Sequence, residues 1–329
     1  MKVGIVNNET WAFFREIAED LGAHHESHTF EWKERSYPFF RGRLNERQKE
    51  SSFRRFLQSK DVVFFEWASE SLAAATALPK VCKIVTRLHR YELYHWADRI
   101  DWTKVDRIIL VSQAKRLEFL RRFPEHQAKV VVIPEAICIE RFPLQPREAY
   151  TRLGSLCQLS PRKRIYELIL AFSRMVEAGL PLTLDIGGAG HPRFPDYEPT
   201  VRGLVERLHL EERVRFHGQI HNPQAWYPGI DLFVSNSYSE GLQVAPMEAI
   251  ASGADCLSHS WDGADELLPL EHLFTTDDEL LARVVNYCDA TPEERRRRQA
   301  VLREKVISEF DIQKTKARIR AVVEAAASD

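Results

Sequence analysis

The chain predicts an α/β protein built from two doubly wound parallel-sheet domains, and three observations carry that prediction. Short apolar runs alternate with amphipathic helical segments through both halves, the pattern left by parallel strands joined through crossover helices. At 329 residues the chain exceeds one comfortable hydrophobic core. Pro143 and Pro146 interrupt regular structure between a strand and a new polar helix start, which places the boundary there and gives domains of residues 1–146 and 147–329.

In the first half, strands are predicted at 2–6, 61–66, 82–88, 107–112 and 129–133, each a short apolar run rich in β-branched or aromatic side chains. Helical spacing of apolar residues predicts helices over Trp11–Leu21 and Ala114–Phe123. In the second half, strands are predicted at 154–159, 182–187, 213–217, 231–235 and 254–258, with helices over Tyr166–Glu177 and Gln243–Ser252. From Thr291 onward the chain is helical and charged, and Glu293-Glu-Arg-Arg-Arg-Arg298 reads as a solvated face. Ligands of doubly wound sheets sit beyond the carboxyl ends of the strands, so two facing domains would enclose a cleft.

Composition removes several classes of function. Lys plus Arg number 46 against 48 for Asp plus Glu, a balance that favours neither nucleic acid nor an acidic polymer as partner. No apolar run approaches the ~18 residues of a membrane span, and the start, Met1-Lys-Val-Gly-Ile-Val6, enters a strand without a signal-peptide layout. Cys82, Cys138, Cys157, Cys256 and Cys288 are scattered without a C-x-x-C, as expected of reduced residues in a cytoplasmic protein. The histidines show no H-E-x-x-H or H-x-x-E-H motif, so no metal site is expected.

The most informative segment is Ser239-Glu-Gly-Leu-Gln-Val-Ala-Pro-Met-Glu-Ala-Ile-Ala-Ser-Gly253, directly after the apolar run at 231–235. It reads as strand, tight turn and helix, a junction whose unpaired N–H groups and partial positive charge favour a bound phosphate. Glu240 lies in the turn and Glu248 further along the helix, so both can face one ligand. Carboxylates accept paired hydrogen bonds from sugar diols while the amides of Gly241, Leu242 and Gln243 hold an anion, a combination suited to a nucleotide sugar. The alternative is a surface helix with two solvated glutamates.

Glu240 and Glu248 within EGLQVAPMEAIASG resemble the donor-site motif of the retaining glycosyltransferases of family 4, which have the GT-B fold of two Rossmann-like domains. Residues 155–172 are similar to the opening strand, turn and helix of that family's C-terminal domain, 182–190 to its next strand and glycine turn, and His217-Gly-Gln-Ile220 to the loop near its base. Val85-Thr-Arg-Leu-His89 is similar to the strand that ends in the family's active-site histidine. The resemblance covers most of residues 80–310 and thins out before residue 80. It implies that Glu240 meets the transferred sugar, Glu248 holds the ribose, Lys163 contacts the diphosphate, Gly188 and Gln219 belong to the donor site, and the final helix crosses back onto the N-terminal domain.

The sequence departs from the family in three places. The arginine that the family carries five residues before the lysine is Gln158 here, which brings no charge, and Arg162 is the expected substitute. The glycines usual after the first strand are replaced by Asn7-Asn-Glu-Thr-Trp11. Asp255 stands where proline is usual after Gly253, with no function assigned to it. Other readings stay open for the remaining features. Arg162, Lys163 and Arg164 can neutralise a leaving diphosphate or form a solvated turn, and His89 can bind a sugar hydroxyl or be structural. Gly187, Gly188 and Gly190 lack the full G-x-G-x-x-G, and Pro192 disturbs the helix start which that fingerprint needs, so they make a strand-end turn. Residues 24–56, with Phe30, Trp32, Tyr37, Phe39, Phe40, Arg41, Arg43, Arg54 and Arg55, form an acceptor-site loop and helix, a membrane-facing surface or a locally packed segment.

The expectation is transfer of a glycosyl group, with retention and without a metal, from a nucleotide diphosphate sugar to a saccharide, lipid-linked or other hydroxyl acceptor, in polysaccharide or glycoconjugate synthesis. The catalytic residues would be His89, Glu240 and Lys163, and no cofactor is expected. The location would be cytoplasmic, with peripheral contact at the inner membrane face open. The alternatives are a non-catalytic nucleotide-sugar-binding partner subunit, or a GT-B epimerase or phosphorylase.

Overall fold

The computed structural model describes all residues except 12–13, 33–40, 146 and 148–149, and describes 41–44 by backbone alone. It divides into two units, Met1–Glu135 with Ile312–Asp329, and Ala136–Asp311.

In chain order the first unit contains β1 (Lys2–Val6), α1 (Arg15–His24), β2 (Glu26–Thr29), α2 (Arg41–Gln58), β3 (Val62–Phe65), α3 (Glu70–Ala77), β4 (Lys83–Leu88), α4 (Arg90–His95), β5 (Arg107–Leu110), α5 (Gln113–Arg122) and β6 (Val130–Val132). The second contains β7 (Arg152–Leu156), α6 (Ile165–Glu177), β8 (Thr183–Gly187), α7 (Tyr197–Arg207), β9 (Val214–Gly218), α8 (Pro223–Trp226), β10 (Leu232–Ser235), α9 (Val244–Ala251), β11 (Asp255–His259), α10 (Ala264–Leu267), β12 (Leu273–Phe274), α11 (Asp277–Asp289) and α12 (Pro292–Glu309). The last helix, α13 (Ile312–Ser328), packs on α1 and on β3, β4 and β5 of the first unit.

Each unit carries one six-stranded, fully parallel sheet. The first has the order β2-β1-β3-β4-β5-β6 and the second β12-β11-β10-β7-β8-β9. β3 is buried at every position, as befits a strand covered on both faces. β2, Glu-Ser-His-Thr, escapes a reading based on apolar runs because it is a polar edge strand, half exposed along its length. β12 is only two residues long. β7 ends at Leu156 rather than at residue 159, although Cys157 and Leu159 still donate to the Gly187 and Ala189 carbonyls beyond it.

The unit boundary falls after Glu135, eight residues before Pro143 and eleven before Pro146. Ile137 pairs with Asp311, and Gln145 donates its N–H to the carbonyl of Ser252, so the segment that was expected to close the first domain is tied into the second. The arginine run of α12 is also not uniformly solvated. Arg295 is 8% exposed, lies over the Tyr150 ring at 4.3 Å, and donates to the carbonyls of Tyr287 and Cys288. Of the aromatic segment at 24–56, Phe30 packs on Phe53 and Phe56 with ring centroids 4.9 and 5.3 Å apart, leaving Arg54 and Arg55 exposed. Tyr37, Phe39 and Phe40, and the side chains of Arg41 and Arg43, lie outside the described residues. No described helix is long and apolar enough to cross a membrane.

Candidate functional site

In the second sheet the chain leaves β7 towards β8 and β9 on one side, and returns on the other side through β10. That reversal opens a crevice beyond the carboxyl ends of β7 and β10, where ligands of such sheets bind. The turn after β7 carries Arg162 and Lys163, and the turn after β10 carries Ser237 to Gln243.

These turns meet on one carboxylate. Glu240 Oε1 accepts from Lys163 Nζ at 2.7 Å and from Gln243 Nε2 at 2.9 Å, and pairs with Arg162 Nη1 at 2.5 Å. Arg162 also donates to the Ser239 carbonyl at 2.8 Å. Burial alone would raise the Glu240 carboxyl, but Lys163 and Arg162 overcome it and hold the group at about 2. Arg164, the third cation of the turn, faces away to Asp277 at 3.7 Å. Its backbone sits in the left-handed region at φ 51°, and its carbonyl accepts from Asn236.

Gln243 immediately precedes α9, yet its side chain does not cap that helix. Its amide bridges Ser235, Ser237 and Glu240 instead, which locks the turn. Among the described residues, the N–H groups of Gly241, Leu242 and Gln243 meet no acceptor within the protein. Further into α9, Glu248 accepts from the Tyr227 hydroxyl at 2.8 Å. Burial pushes its carboxyl up to about 7, and the tyrosine bond offsets only part of the rise.

Gly188 sits at φ 120°, and a Cβ there would lie 1.7 Å from the Cys157 carbonyl oxygen, so only glycine lets the turns after β7 and β8 approach this closely. Its N–H donates to Gly218, next to the exposed Gln219. Gln158 is exposed as well.

In the first unit, His89 ends β4 and stands against a buried charge cluster. Its Nδ1 lies 3.2 Å from Glu92, its Nε2 3.0 Å from Glu135, and its ring 4.2 Å from that of Trp67. Arg87 is fully buried and donates to Glu66 at 3.1 Å and Glu135 at 2.7 Å. Burial works against a charged imidazole, but Glu92 and Glu135 outweigh it and push His89 up to about 10. Burial lifts Glu66 to about 7 despite Arg87, whereas Arg87 and His89 hold Glu135 at about 2. The imidazole is therefore a cation that can donate a hydrogen bond, and not a free base.

Residues 150–288 match the family model described as glycosyl transferases group 1. The matched stretch lies within the second unit. The chain is 29% identical over 155 residues to the GtfA subunit of a UDP-N-acetylglucosamine–peptide N-acetylglucosaminyltransferase from Streptococcus gordonii. That match covers 46% of this chain and 29% of the relative, so the chain spans under a third of the relative's length. Over 98% of the chain, the structure is similar to Anabaena HepE in complex with UDP and glucose, covering 99% of that chain with a TM-score of 0.81 and 18% identity. A sucrose-phosphate synthase from Thermosynechococcus elongatus aligns over 99% of this chain and 98% of its own, with a TM-score of 0.78 and 16% identity. With two parallel six-stranded sheets, these likenesses give the fold as GT-B.

Within the second unit, Arg162, Lys163, Glu240 and Gln243 form one bonded cluster, with the amides of Gly241 to Gln243 in the same turn. Glu248 is not bonded to that cluster but paired with Tyr227. Sequence reading did not anticipate Tyr227, Ser235 or Ser237. Nor did it anticipate Glu66, Arg87, Glu92 and Glu135 around His89, although an arginine inside the apolar run Ile84-Val-Thr-Arg-Leu88 was a signal that buried carboxylates lay nearby.

Proposed function

We propose that the chain transfers a glycosyl group from a nucleotide diphosphate sugar to a hydroxyl acceptor in polysaccharide or glycoconjugate synthesis. The observation that carries this reading is the meeting of Lys163 and Arg162 on Glu240, beside amides that have no partner. Two cations and preorganised N–H donors are what a departing diphosphate needs, because negative charge grows on it as the glycosidic bond breaks. In this reading the diphosphate takes over Lys163 and Arg162 from Glu240, and the freed carboxylate accepts hydrogen bonds from the sugar hydroxyls.

Glu248, with the Tyr227 hydroxyl on one oxygen, holds the ribose through the other. The cations and amides supply the leaving-group charge without a metal. Retention follows if the departing phosphate itself takes the acceptor's proton on the same face. In this reading His89 acts as a cation and not as a base.

The GtfA relative and HepE are named with UDP-linked substrates or ligands, so UDP-glucose and UDP-N-acetylglucosamine are the first donors to test. A ligand at a hundred times its Kd stabilises by about 2.7 kcal/mol, enough for a thermal-shift screen. The reading expects a shift with at least one nucleotide sugar, slow release of free nucleotide from it, and a product with the donor's anomeric configuration by NMR. A nucleotide sugar that binds and is never consumed with any hydroxyl acceptor, or an inverted product, would refute transfer with retention.

A further inference from the structure

A cavity lies within the second unit, at the amino-terminal ends of β10 and β11, the sheet edge opposite the donor turns. It holds about 410 Å³ and is lined by Leu232 and Asp255, the first residues of those strands, together with α11 and α12. Three arginines open onto it, Arg283 from α11 and Arg297 and Arg298 from α12.

None of the three arginines forms a salt bridge among the described residues; Glu279 and Glu294 act on them only from further away. Tyr287, 2% exposed, lines the same cavity, and its hydroxyl is buried without a hydrogen-bond partner. Arg283 Nε is buried and unpartnered too. A buried polar atom left unpaired is costly, and two of them in one basic cavity point to a missing acceptor.

The acids in the cavity do not cancel this charge. Asp255 accepts from its neighbour's N–H, Cys256, at 2.7 Å and faces His272 Nδ1 at 3.3 Å, so it is already engaged. Glu271 is exposed at the rim. His272 Nδ1 lies 2.8 Å from the Cys256 carbonyl and 3.3 Å from Asp255, so both hold the ring in the cavity wall.

We propose that this cavity binds a small phosphate-bearing molecule. Arg283, Arg297 and Arg298 grip the phosphate oxygens, the Tyr287 hydroxyl donates to it, and Leu257 and Val301 receive the organic body. Guanidinium forks match phosphate geometry, and a tyrosine hydroxyl with no acceptor of its own lowers the cost of its burial by donating to one.

The test is a titration with inorganic phosphate at constant ionic strength, followed by phosphorus NMR line width, on the whole chain. Saturable binding is expected, weakened roughly tenfold or more by Arg283→Ala with Arg298→Ala, and less by the milder Tyr287→Phe. Lys163→Ala, which alters the donor turn, should leave this binding unchanged. The proposal is overturned if phosphate does not bind, if the double variant binds as well as the parent while keeping its melting temperature, or if Lys163→Ala alone abolishes binding.

Discussion

Lys163 Nζ and Arg162 Nη1 both reach Oε1 of Glu240, at 2.7 and 2.5 Å, so one carboxylate oxygen is shared by two cations from the turn after β7 and the cluster keeps a net positive charge. The proposed donor site takes from Arg162 the charge that Gln158 does not bring, and this substitution can be tested. Arg162→Ala should lower kcat/KM for donor turnover about ten- to a hundredfold, the range for a charged hydrogen bond of roughly 1.5–3 kcal/mol. Adding Gln158→Arg to that variant should recover part of the loss. Steady-state nucleotide release measures both, and an Arg162→Ala enzyme as active as the parent would count against the substitution.

Glu248 offers a pH test. Its folded pKa, pushed by burial to about 7 from an ordinary 4.5, means that the folded state prefers the protonated form. Its contribution to stability is fully present below about 4.5 and is lost as pH rises through 7. Glu248→Gln should therefore raise the melting temperature at pH 8 and leave it nearly unchanged at pH 4.5. Donor affinity should show the opposite trend, strengthening as pH rises through 7 in the parent while staying flat in the variant. Calorimetric titration with UDP-glucose at pH 6 and pH 8 separates the two.

Much of the fold was legible because parallel strands buried on both faces leave runs such as Val62-Val-Phe-Phe65, and ten of the strands carry such a signal. The polar edge strand β2 and the two-residue β12 left none. At the donor turn, the residue types at 162, 163, 240 and 248 pointed to phosphate and diol chemistry, but sequence spacing does not say that Gln243 turns back from its helix to lock the loop. The cluster around His89 was hidden for a different reason. Glu66, Glu92 and Glu135 lie far apart in the chain and are brought together by parallel pairing of β3 with β4 and by the turn after β6.

For His89 the sign runs from its raised pKa. The folded value of about 10 against an ordinary 6.5 gives a contribution to stability that is complete below about 6.5 and disappears as pH rises to 10. His89→Gln should flatten the fall in unfolding free energy over that window, read from urea denaturation at pH 6.5, 8 and 9.5. A parent with no such slope would contradict a cationic imidazole. Turnover between pH 6 and 8 should likewise show no inflection that His89→Gln removes.

Arg87 supplies the last prediction. It is fully buried between Glu66 and Glu135, and its removal would leave Glu135, which is held ionised, without its main partner. Breaking a buried pair from one side typically costs about 3–5 kcal/mol, whereas replacing the whole set with neutral groups of similar size costs far less. Arg87→Met should accordingly lower the urea midpoint strongly at pH 8, and Arg87→Met with Glu66→Gln and Glu135→Gln should regain much of it. Glu66 takes a proton near pH 7, so the single variant should suffer less at pH 5.5, where one of the two stranded carboxylates is neutral. A deficit that stays the same at both pH values, with no recovery in the triple variant, would mean that Arg87 matters for its packing rather than for its charge.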